Sequence, residues 1–152
     1  MVRKLAIFLR DLLKIDEQLI RIGRENYDRE QSLIAIVDTI GPSRLIGQGS
    51  KYNGEAEILT HYTDYRTPCT IDFLQPGYVQ QFAMGIRTQK ARDLMRQVEV
   101  SVFAITTFHD LRQLLGNRFS DQVQVELVIG HSETFNESVK RIDEIQLEVR
   151  AQ

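Results

Sequence analysis

The chain reads as an α+β fold: a mostly antiparallel sheet of about five to six strands, helices packed on one face, and a projecting β-hairpin. Three observations carry that expectation. Pro68 to Phe73 alternates, with Cys69, Ile71 and Phe73 on one face and Thr70 and Asp72 on the other. Pro76-Gly77 stops this strand before an amphipathic helix over Tyr78 to Val98. Gln122 to Gly130 alternates again, Val123, Val125, Leu127 and Ile129 against Gln122, Gln124 and Glu126. Asn53-Gly54 separates two strand-like runs, Arg44–Tyr52 and Glu55–Tyr62, as a hairpin turn does. Helices over one sheet face leave the other, polar face in water or in a wet interface.

The elements follow in order. Leu5, Phe8, Leu9, Leu12 and Leu13 recur at helical spacing, with Arg10, Asp11 and Lys14 off the stripe, so residues 1–14 form an N-terminal helix. Asp16 starts a short turn through Leu19, and Gly23 ends the apolar run Leu19 to Ile22. Residues 24–31, with Glu25, Asp28, Arg29 and Glu30, read as a polar arm. Leu33 to Val37 is continuously apolar, as in a strand covered on both faces, and Gly41-Pro42 closes it. In the hairpin 44–62, a type I′ Asn-Gly turn would set Tyr52 opposite Glu55, Lys51 opposite Ala56 and Leu45 opposite Tyr62. Gly47 and Gly49 inside its first strand point to a bulge or a close backbone approach. A turn at Thr63-Asp64 would lead into the strand Tyr65 to Leu74, with Pro68 placing its start near an edge or bend. The helix carries Val79, Phe82, Ala83 and Ile86, then Ala91, Leu94, Met95 and Val98. Thr88 is the N-cap of the second part, so a break falls near Arg87-Thr88. Val100 to Phe108 is β-branched and aromatic, hence a strand; 109–117 is a helical or turn segment; 132–138 is a polar loop. A last strand carries Ile145, Leu147 and Val149. Residues 66–150 thus form a strand–helix–strand core.

Composition narrows the function. With 152 residues the chain makes one domain, 1–152, large enough to fold without a disulfide or a metal. A net charge of −2 gives no general basic face for nucleic acid. The N-terminal stripe is interrupted by charges, as a signal peptide is not, and no apolar run reaches membrane-spanning length. A cytosolic chain, or one assembled from the cytosol, follows. The single cysteine, Cys69, falls on an apolar strand face and reads as a small buried residue rather than a nucleophile.

No residue set carries catalysis, a cofactor or a metal. His61, His109 and His131 lie too far apart for a ligand cluster, although His109-Asp110 has the look of an oriented base. No G-x-S-x-G surrounds Ser43, Ser50 or Ser101. Gly47-Gln48-Gly49-Ser50-Lys51 has glycines and a lysine but leads into a hairpin, where no helix N-terminus meets a phosphate. The candidate sites are therefore surfaces. The hairpin tip, Tyr52, Asn53, Gly54 and Glu55, projects from a ribbon only marginally stable alone, so a neighbouring subunit should pack on it. Arg87, Lys90, Arg92 and Arg96 decorate the helix opposite its apolar stripe. They form an ordinary solvated face or a surface for acidic residues of a partner.

The ordered series Arg66–Phe73, the Gln75-Pro76-Gly77 turn, Phe82–Arg87, Ala91–Met95, Phe103–Thr106 with His109–Leu111, and Arg118–Ile129 resembles bacteriophage neck and tail-terminator proteins. The helix Leu5–Leu13 and the hairpin 44–62 extend the likeness over most of the chain; the arm 24–31 and the Asn53-Gly54 tip depart from the pattern. The resemblance implies a non-enzymatic virion protein, assembled in the host cytoplasm. Such a subunit closes into a ring, usually of six, at the head-proximal end of the tail. The ring ends tube growth and joins the tail to the head. Implied partners are copies of itself, the tail tube protein, a head–tail connector or stopper protein and a tail sheath, with DNA only passing through the lumen and no membrane. Two other readings remain open to the residues: a small α/β enzyme or ligand-binding module, and another tail or baseplate component.

Overall fold

Residues 1–23, 32–110 and 122–139 are described by this computed structural model, and within them three helices stand against a six-stranded sheet. The apolar stripe Leu5, Phe8, Leu9 and Leu13 is the buried side of α1 (Val2–Leu13), which Lys14 ends in the left-handed conformation, φ 56°. A 3₁₀ turn at Glu17–Leu19 leads to β1 (Ile20–Ile22), and Gly23 stops it at φ +80°. Next come β2 (Ala35–Thr39), β3 (Arg44–Asn53), β4 (Ile58–Phe73), α2 (Pro76–Gly85), α3 (Gln89–Gln97), β5 (Val100–Asp110) and β6 (Val123–Ser138). The sheet order is β1-β2-β4-β6-β5, with β3 also on β4. Every pair is antiparallel except β1 with β2.

Register explains the core. Cys69, Ile71 and Phe73 of β4 lie opposite Leu127, Val125 and Val123 of β6, so one face of both strands is apolar. Leu5, Phe8 and Leu9 of α1, Phe82 of α2 and Ala91 of α3 bury that face without exposure. Phe82 meets Phe73 with ring centroids 5.5 Å apart. The expected helix break is present. The Thr88 hydroxyl accepts from the Ala91 amide at 3.2 Å and donates to the Gly85 carbonyl at 2.7 Å, so one side chain stops α2 and starts α3.

Pro68 marks neither a sheet edge nor the start of a strand. It sits where β4 changes partner, from β3 (up to Arg66) to β2 (from Cys69). Its carbonyl accepts from the Ile40 amide at 3.0 Å, and its missing N–H falls in the gap between the two partners.

Three sequence expectations are corrected. The hairpin does not turn through two residues at Asn53-Gly54. Asn53 pairs with Ile58, Tyr52 with Leu59, Lys51 with Thr60 and Leu45 with Tyr65, around a four-residue loop, 54–57. Asn53 spends its side chain rather than its backbone: Oδ1 accepts the amides of Glu55 and Ala56, and the positive φ falls on Glu57 (52°). The partner of Tyr52 shifts by four residues, an even number, so the faces are preserved. The expected bulge is present between Leu45 and Gly47, and the Tyr62 ring lies where a Cβ on Gly49 would stand. Second, Thr63-Asp64 makes no turn, because β4 runs through it paired on both sides, to Gln48 and Gly47 and to Glu133 and Ser132. Third, 132–138 is not a loop but the second half of β6, pairing with β4 as far as Ile58–Ser138.

The projecting hairpin is consequently three-stranded. The polar sheet face is also drier than expected. Thr70 is fully buried and Asp72, Gln122, Gln124 and Glu126 are half-buried, with Gln124 donating to Asp72 at 2.8 Å. The arm 24–31, most of the segment 109–117 and the final strand 145–149 lie outside the described residues.

Candidate interaction surface

The upper halves of β4 and β6 give the helix-facing core Cys69, Ile71, Phe73, Val125, Leu127 and Ile129. Below it, β3, residues 58–66 of β4 and residues 131–138 of β6 continue as a ribbon. Seven residue steps from Tyr65–His131 to Ile58–Ser138 carry it about 24 Å beyond the helix layer. Among the described residues, the outer edge of β3 is unpaired, as is that of β6 past His131, where β5 begins at Val100. Such edges are templates for another chain.

Polar ties hold the ribbon together. The Ser50 hydroxyl and His61 Nδ1 are 2.8 Å apart, and His61 Nε2 is 3.1 Å from a Glu137 carboxylate oxygen. Thr60 donates to Asn136 at 2.8 Å, and Ser132 donates to Asp64. The Ser50–His61–Glu137 line has the order of a hydrolytic triad. It lies on an open ribbon with the His61 and Glu137 side chains about half exposed, so it acts as a tie across three strands. Against this polar frame stand large exposed apolar groups. Tyr52 and Phe135 share the face that continues the core; Phe135 is 68% exposed and stacks on His61. Tyr62 lies on the opposite face, and Leu45 and Ile46 flank the bulge.

Tyr52, Asn53, Gly54 and Glu55 are all exposed at the tip. Arg87, Lys90, Arg92 and Arg96 are all exposed on the helical side of the far sheet edge. Arg96 reaches Asp93 at 3.6 Å; Arg87, Lys90 and Arg92 make no ion pair with a described residue. These two groups do not meet within one subunit. Arg96 lies beside His131 and Ser132 at the ribbon's base, so the ribbon's length separates it from the tip. Next to Arg87, between the helices and β5, is a shallow groove of about 270 Å³ lined by Ile86, Met95, Val102 and Ile105 among others.

The other candidates are buried or dispersed. Burial pushes the Cys69 thiol up to about 12, and its sulfur contacts the Thr67 carbonyl. His131 stacks on Tyr65 at 5.4 Å with Nδ1 buried and without a hydrogen-bond partner among the described residues; burial lowers its pKa. His109 and Asp110 end β5. No group of three metal-ligating side chains gathers among the described residues. Sequence reasoning missed Phe135, Tyr62 and the Arg66–Phe103 pair, whose guanidinium sits 4.2 Å over the ring, itself lying on Gly130. The signal for Phe135 was present: Glu133, Phe135 and Glu137 alternate with Ser132, Thr134 and Asn136.

No described helix is long and apolar enough to cross a membrane. No curated protein matches the chain. The family described as phage neck terminator proteins matches residues 4–151, nearly the whole length, and that family is structural, not enzymatic, with its place in the neck and tail of the virion. With that coverage, the chain belongs to the phage neck terminator protein family.

Proposed function

We propose that this protein is a ring-forming subunit, six to a ring, at the head-proximal end of a phage tail. There it ends growth of the tail tube and joins the tail to the head connector or stopper protein. The observation that carries the ring is the ribbon: three strands, two edges unpaired among the described residues, and exposed aromatics, built by the same long strands that build the core. An isolated subunit leaves that backbone and apolar surface to water, and copies related by rotation cover it. Different surfaces at the two ends of the sheet suit heterologous contacts, which close into a ring when the rotation allows. The tail tube protein meets one rim, a sheath packs outside where the tail has one, and DNA passes through the lumen. The mildly acidic chain gives DNA little to bind. Assembly takes place in the host cytoplasm.

Negative-stain imaging of the purified protein, alone and mixed with tail tubes, tests this. Rings of uniform count, or density added at one tube end, are expected. Monodisperse monomer with bare tube ends would overturn the reading, and a monomer holding a bound small molecule would favour a ligand-binding module instead.

A further inference from the structure

The ring reading leaves open which surfaces meet. We infer that the hairpin tip of one copy docks on the basic helical face and the shallow groove beside it on the next, an assignment that rests on the ring reading. Four features fit together. The tip presents Glu55 and Glu57, both exposed and without an ion-pair partner among the described residues. Beside them Tyr52, 45% exposed, stands on the neighbouring strand end, with its ring 3.5 Å from where a Cβ of Gly54 would sit. The receiving face presents Arg87, Lys90, Arg92 and Arg96 against the single acid Asp93, with Arg92 and Arg96 one helical turn apart. The groove adjoining Arg87 is shallow, and its aliphatic part is Ile86, Val102 and Ile105.

One protrusion thus carries an aromatic anchor flanked by carboxylates. The other site is a shallow groove with aliphatic side chains, next to Arg87 and the cations of α3. Aromatic anchors in desolvated pockets dominate interface energies, and surrounding charges set register and encounter rate. The two sites cannot satisfy each other within a subunit, because about 24 Å of ribbon separates the tip from the base where Arg96 lies. They also lie at opposite margins of the sheet, the tip on β3 and β4 and the groove against β5. A knob and socket so placed give a head-to-tail contact, the kind that builds rings.

Charge reversal tests the pairing in solution and at tube ends, by sedimentation velocity and negative stain. All the residues changed are exposed, so folding, followed by circular dichroism, should be unaffected. E55K/E57K and R92E/R96E should each raise the concentration for half-assembly about tenfold or more. Mixing the two variants should restore rings, since in an alternating ring of six every tip meets a face of opposite sign. The quadruple variant should restore assembly to near wild type. Raising salt should weaken wild-type rings. Rings unaffected by either reversal, or a quadruple variant no better than the worse parent, would overturn the pairing while the ring stands. A wild type that never forms a ring, alone or on tubes, would remove both.

Discussion

Phe135→Ala separates folding from assembly, and its magnitude follows from exposure. A phenylalanine offers about 200 Å² to burial, so 68% exposure leaves about 135 Å² in water in the lone subunit. Covering that area in a contact contributes up to about 3 kcal/mol at ~25 cal/mol per Å². Removing the ring should therefore weaken assembly by about 30- to 200-fold, each 1.4 kcal/mol being tenfold. The cost to folding is smaller. The remaining third of the side chain rests on the ribbon with His61 at a centroid distance of 6.4 Å, which gives about 1 kcal/mol and a fall in Tm of roughly 2–4 °C. Concentration-dependent sedimentation reads the first effect and thermal denaturation of dilute protein the second. If assembly is unchanged, this ribbon face is not covered by a neighbour. If the lone subunit loses 3 kcal/mol or more, Phe135 is a core residue of the monomer.

Further changes probe other links. Phe82→Ala empties the place where α2 meets Phe73 and should cost about 3–5 kcal/mol in chemical denaturation, so a loss under 1 kcal/mol would contradict the packing. Thr88→Ala removes the cap at the α2–α3 break and should cost about 1 kcal/mol, whereas Thr88→Ser should cost little. His131 has a depressed pKa in the fold, so below its ordinary value of 6.5 the unfolded chain binds a proton that the folded chain resists. Its contribution to stability is full above that value and is lost as pH falls from there through the folded pKa. His131→Gln should flatten that part of the pH–stability curve, and an unchanged slope would assign it to other groups. Cys69, held near 12, should resist alkylation at pH 8 in the folded protein and react only on unfolding; rapid labelling of the native chain would contradict its burial.

What was legible in the sequence was whatever had a core behind it. The stripe of α1, the alternation of Cys69, Ile71 and Phe73, that of Val123 to Ile129, and the cap at Thr88 each leave an apolar or hydrogen-bonding signature at a fixed spacing. The exposed residues chosen at the tip and on the helix are exposed, but nothing in their spacing says what they touch. The failures share one cause. Thr63-Asp64 and, apart from the exposed Phe135, 132–138 are polar on both faces, so period-two burial disappears although the backbone stays extended. Asn53-Gly54 failed differently: a side-chain cap on two amides competes with the positive-φ turn, and local sequence does not rank the two.

The same lack of burial has a structural meaning. β4 and β6 are 16 residues each, about three times the usual strand. At ~3.4 Å per residue each spans about 54 Å, whereas the 12 residues of α1 span about 18 Å. Helices of 9 to 12 residues cannot cover strands of that length, so roughly half of each strand lies beyond the described helices. The antiparallel ladder still satisfies the inner backbone groups, which is why the ribbon holds its shape, but it does nothing for Phe135, Tyr52 or the edges of β3 and β6. A chain selected for folding alone would gain by shortening those strands. Extending them by some 24 Å beyond the helices, with aromatics retained at the far end, costs the monomer exposed surface. Among the described residues nothing offsets that cost; in the proposed ring, a neighbouring subunit would supply the second layer.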